Sequence, residues 1–101
     1  MKLFYSAIFR PDVEHGNCYV YFPDLDYSCC LETSDMDSFR QRLEDELGFA
    51  MWLFEDSGKV IPAPSTISGE DLPPEAYIDF VPCDYENFRQ GVSVKNIDLS
   101  A

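Results

Sequence analysis

The sequence predicts an α+β domain: an antiparallel sheet of three to four strands packed against one long helix, in the order β-β-β-α-β. Three observations lead there. Aromatic and β-branched runs with period-two alternation fill the first third of the chain, separated by short polar turns. From Ser34 to Gly58, apolar residues recur at three- and four-residue steps, the stripe of an amphipathic helix. A further alternating run, Ala76 to Val81, follows a proline-rich connection. At 101 residues and 46% hydrophobic content, the chain is sized for one domain with one modest core.

The first strand, Lys2 to Arg10, places Leu3, Tyr5, Ala7 and Phe9 on one face and Phe4, Ser6 and Ile8 on the other. Pro11 is expected to close it, because proline donates no ladder hydrogen bond. Asp12 to Asn17 is polar and contains His15-Gly16-Asn17, a good hairpin connection. Cys18 to Phe22 reads as the second strand, ended by Pro23-Asp24, and Tyr27 to Thr33 as a shorter third. Ser34 is the expected cap of the helix, with Asp35 and Asp37 favourably placed against its dipole. Met36, Phe39, Leu43, Leu47, Ala50, Met51 and Phe54 form its apolar stripe. Arg40 with Glu44, and Arg42 with Glu46, are spaced to pair on the outer face, each pair contributing a few tenths of a kcal/mol, roughly. Gly48 is a weak point and Gly58 the expected stop. Asp56 to Glu75 reads as a loop, Asp84 to Arg89 as a short helix opened by Asp84, and Val92 to Leu99 as a last strand.

Composition bounds the chemistry. Nineteen acidic and 7 basic residues give a net charge of −12, which repels phosphate backbones. Such a surface suits docking onto a basic partner, and equally serves plain solubility. No apolar run approaches the roughly 20 residues needed to span a membrane, and Met1-Lys2-Leu3-Phe4 does not read as a signal peptide. The four cysteines, at 18, 29, 30 and 83, contain no metal-ligand spacing and are expected to be free thiols, so no metal or other cofactor is expected. The single histidine, His15, is expected in the hairpin turn, and no Gly-x-Ser-x-Gly elbow or phosphate-cradling loop occurs. Neighbouring carboxylates such as Asp24 with Asp26 are explained by capping and solvation, and an enzyme is not expected. Tyr5, Tyr19 and Tyr21 alternate on neighbouring strands, but with only Lys2 and Arg10 nearby they suit packing under the helix or at a dimer interface better than RNA stacking.

Several pieces, taken in order, carry a resemblance. The opening strand Lys2 to Phe9 leads to Tyr19-Val20-Tyr21-Phe22-Pro23-Asp24-Leu25, and the acidic helix ends in Gly58-Lys59-Val60-Ile61-Pro62-Ala63-Pro64-Ser65. In that order the chain resembles the HicB antitoxins of toxin–antitoxin pairs over most of its length. Phe22, Pro23, Asp24, Leu25, Pro62, Pro64 and Ser65 are the family-motif residues; past Leu25, Asp26, Tyr27 and Ser28 depart from the usual pattern. The resemblance implies a partly degraded RNase H-like sheet without a working nuclease site. It also implies binding to a HicA-like toxin, a small basic ribonuclease that cleaves messenger RNA, by occluding it.

Asp45, Glu46, Glu55 and Asp56 on the helix, with the proline-rich loop, are the candidate toxin contacts; ordinary solvated surface is the competing reading. Residues 1–90 then form the antitoxin-like domain, expected to be cytoplasmic and homodimeric. Residues 91–101, including Val94-Lys95-Asn96-Ile97, resemble the start of a truncated DNA-binding segment, so specific DNA binding is not expected. The rival readings are an orphan HicB-like or RNA-associated regulatory domain without a toxin partner, and a cryptic RNase H-type nuclease using Asp24 or Asp79.

Overall fold

Period-two alternation produces a four-stranded sheet. The computed structural model describes residues 2–67, 69 and 72–91, so the expected last strand at 92–99 lies outside the described residues. Strands β1 (Leu3–Asp12), β2 (Asn17–Phe22) and β3 (Tyr27–Glu32) form a meander, and β4 (Tyr77–Cys83) adds to the other side of β1. The sheet order is β3-β2-β1-β4, with every neighbouring pair antiparallel. The helix α1 (Met36–Asp56) covers one face, and residues 85–91 form a second helix, α2. The α+β architecture of a sheet under one long helix is therefore as the sequence predicts.

Register fixes which residues look inward. Phe9 opposes Val20, Val20 opposes Cys29, Tyr5 opposes Val81 and Leu3 opposes Cys83, so these share the face under α1. Phe39, Leu43, Leu47, Ala50 and Met51 of α1 complete the core. Burying each of the large side chains contributes about 1.5–3 kcal/mol, which outweighs the ~1 kcal/mol that a glycine costs inside a helix. The glycine at 48 has a use: a Cβ there would stand 2.6 Å from the Phe88 ring, so its absence lets α2 seat against α1.

Several local expectations are corrected. Pro11 does not close β1; it pairs opposite Cys18, and Asp12 continues the ladder to Asn17. The last rung between β1 and β4 is Phe9 with Tyr77, so β1 has one open side at Pro11 and the missing donor is tolerated there. The hairpin turn holds Gly16 at φ 67, with the His15 ring 2.8 Å from the Asp12 carboxylate. Asp35, not Ser34, caps α1, accepting from the backbone N–H groups of Asp37 and Ser38 at 3.2 and 3.4 Å. A carboxylate serves better than a hydroxyl because it also meets the positive end of the helix dipole. At the other end Gly58, at φ 74, donates to Glu55 O and Lys59 donates to Phe54 O, the paired bonds of a Schellman stop. Met36 is exposed rather than packed in the stripe. Neither Arg40 with Glu44 nor Arg42 with Glu46 forms an ion pair; the Glu46 carboxylate instead accepts from the Tyr27 hydroxyl.

The connection after α1 is tied down at both faces of the sheet. The β1–β2 ladder ends at Ile8 with Tyr21, where β2 turns away through the 3-10 turn Pro23–Leu25. The chain leaving α1 returns to the start of β1 beside this turn. The Tyr5 hydroxyl donates to Pro62 O, and Ser6 Oγ donates to Ser65 O at 3.0 Å. Ser65 closes the clasp: its N–H donates to Asp24 Oδ2 at 2.8 Å and its hydroxyl to Asp24 Oδ1.

A double-mutant cycle on Asp24→Ala and Ser65→Ala tests this clasp by chemical denaturation. Each single substitution is expected to cost about 1 kcal/mol, with the double variant little worse than either single, because the partners lose the same bonds.

Candidate interaction surface

The four helix carboxylates do not converge. Asp45 accepts from Gln41 Nε2 at 3.1 Å, and Glu55 pairs with Arg89 Nε at 3.2 Å. Glu46 is half-buried and holds Tyr27, which corrects its placement among the exposed carboxylates, and Asp56 is exposed at the last turn. The motif residues do meet: Asp24 and Ser65, distant in sequence, are bonded directly, Phe22 and Leu25 are buried beneath them, and Pro62 accepts from Tyr5. Pro64, next to Ser65, is exposed. These residues hold the loop to the sheet.

The aromatic strands divide between two faces. Tyr5 lies in the core under α1, whereas Tyr19 and Tyr21 stand on the opposite face, so the three do not form one platform. There the Arg10 guanidinium lies 4.5 Å from the Tyr19 ring centre, and Tyr21 donates to the Asp26 carboxylate at 2.9 Å.

A cleft of about 370 Å³ opens between α1 and β4. Phe9, Phe39, Leu43 and Val81 form its apolar floor, with Tyr77 stacked on Phe9 at 5.2 Å between ring centres. Met36 and Tyr77 stand at its lip, 57% and 51% exposed, beside Arg40, Glu44 and Asp79. Sequence reasoning missed this site, because its two walls come from segments separated by the long loop.

The edge of β4 beside the cleft is blunted against strand addition. Backbone groups on one edge alternate along a strand, so residues 78, 80 and 82 face outward together. The Phe80 N–H is occupied by the Asp79 carboxylate at 2.8 Å, and Pro82 has no N–H. Of the three, only Ile78 offers a donor to an incoming strand, a blunted edge of the kind that limits aggregation.

All four cysteines are free. Burial pushes the Cys29 thiol up to about 12, with the Glu46 charge adding to it, and Cys83 up to about 11, with Glu44 next in size. Burial and then Glu55 raise Tyr85 to about 12, and burial and then Glu46 hold Tyr27 well above the ordinary phenol range. Thiols so protonated are poor nucleophiles. Asp24 and Asp79, the carboxylates of the nuclease reading, are each committed to a backbone N–H. Among the described residues no group of three or more His, Cys, Asp or Glu side chains is placed to hold a metal ion, and no helix is long and apolar enough to cross a membrane.

Comparison with protein families, with curated proteins and with solved structures finds no match to this chain.

Two measurements follow from this geometry. Opening the edge with Asp79→Ala and Pro82→Val together is expected to raise concentration-dependent association above that of the parent in sedimentation velocity. For pH, the folded protein keeps its Cys29, Cys83 and Tyr85 protons to higher pH than the unfolded chain does. Their contribution to stability is therefore complete below pH 9.0, the ordinary thiol value, and is lost as pH rises through about 11 to 12. Denaturation midpoints should fall across that window, and Cys83→Ala should flatten part of the slope.

Proposed function

We propose that this chain is a cytoplasmic antitoxin-like binding protein that neutralises a small basic, RNA-cutting toxin by covering it. The observation that carries the reading is uncompensated acidity. The chain bears 19 acidic against 7 basic residues. Between described residues only one ion pair joins an Arg or Lys to a carboxylate, Arg89 with Glu55. The remaining field attracts a cationic protein from a distance and speeds its encounter.

The HicB resemblance supplies the identity of that partner as a HicA-like toxin, and an RNase H-like ancestry for the sheet. Its support here is that the two motif segments, Phe22 to Leu25 and Pro62 to Ser65, are joined in space by the Asp24–Ser65 bonds. A motif whose distant halves bond to each other is a folding unit, and so supports kinship of fold more directly than kinship of site. Homodimerisation belongs to the same proposal.

Co-expression with a basic protein from an adjacent reading frame, followed by calorimetry at two salt concentrations, tests the reading. Tight binding is expected, with an affinity that falls as salt rises, because the attraction is screened within about 10 Å at 0.1 M salt. A folded basic neighbour that does not bind would leave the chain as an orphan regulatory domain.

A further inference from the structure

We propose that the cleft between α1 and β4 is where the basic partner docks, by inserting an apolar side chain of a cationic helix between Met36 and Tyr77. The proposal rests on the binding reading above and adds the place and the kind of contact.

Three features lead to it. The cleft is lined by an apolar floor, yet Met36 and Tyr77 remain largely exposed at its lip. Large aromatic side chains and methionine are the residue types enriched in protein interfaces, and methionine adapts to irregular partners. The second feature is the blunted edge. With Phe80 N–H held by Asp79 and no N–H on Pro82, a strand laid along β4 would lack donors for its carbonyls. A helix brings its backbone already bonded and asks the cleft only for side-chain contact. The third is charge. Glu44 and Asp79 line the cleft against a single guanidinium, Arg40, and Asp35 and Asp37 flank Met36 in the chain. Lysine or arginine residues around the inserted side chain would meet these carboxylates at the rim, where they set orientation and encounter rate.

The probe is a synthetic amphipathic helix of leucine and lysine, titrated into the isotopically labelled full chain and followed by NMR, with a leucine–glutamate helix as control. The lysine peptide is expected to shift Met36, Arg40 and Tyr77, and the glutamate peptide to shift nothing. In the variant Met36→Ser with Tyr77→Ser, both at exposed positions, affinity should fall about tenfold or more. Shifts spread evenly over the acidic surface, or centred on Tyr19 and Tyr21, would overturn the placement. So would the same cleft shifts appearing with rising protein concentration alone, which would assign the cleft to a second copy. Repeating the measurement with a basic protein from an adjacent reading frame separates the two readings. A neighbour that binds parent and variant equally removes the cleft proposal and leaves the binding function. Cleft shifts with the lysine peptide but none with the neighbour keep the cleft and remove the toxin reading.

Discussion

The bonds between Asp24 and Ser65 are the constraint on which the rest of this fold turns. They sit where the β1–β2 ladder runs out and β2 bends away, leaving the first half of β1 with β4 on one side only. The chain returning from α1 fills that gap. Tyr5 and Ser6, adjacent residues facing opposite sides of the sheet, bond its carbonyls at Pro62 and Ser65, so the connection is gripped from both faces. A charged acceptor taking both the N–H and the hydroxyl of one serine makes stronger bonds than neutral partners would. The grip fixes the direction in which α1 leaves the core, and so where the chain begins its path toward β4.

The position of β4 in turn creates the cleft. A strand added beside β1 would ordinarily extend the sheet and present a free edge. Here Asp79 and Pro82 remove donors from that edge, while the side chains around it stay apolar and exposed. The surface is therefore hostile to one mode of association and suited to another. Acidity works in the same direction: phosphate backbones and other acidic chains are repelled, and the proposed basic partner would be attracted. The buried thiols and phenols sit outside this surface chemistry, held protonated by burial and by carboxylates nearby.

Much of the fold was legible because local physics is strong in this sequence. Alternation gave the four strands, the apolar stripe gave α1, and Asp84 was correctly read as opening a short helix, where it accepts from Asn87 Nδ2 at 2.8 Å. Errors came where a local rule met a tertiary exception. Pro11 continues its strand because β4 has already ended beside it, and Asp35 takes the cap because one residue of shift brings a carboxylate to the helix dipole. Glu46, expected to pair with Arg42 along the helix, turns to Tyr27 on a strand that the helix pattern does not contain.

The candidate site was much less legible than the fold. The motif residues were found from their order, but their bonding across the chain was not, since no periodicity links position 24 to position 65. The sequence by itself determined the strands, the helix, the acidic charge and the separation of buried from exposed faces, because these depend on neighbours within a few residues. The tertiary structure alone decided that Gly48 receives Phe88, that Asp24 holds Ser65, and that Met36 and Tyr77 flank one cleft. Those contacts join segments whose meeting is set by the sheet order and by the route of the long connection, and neither is written in local pattern.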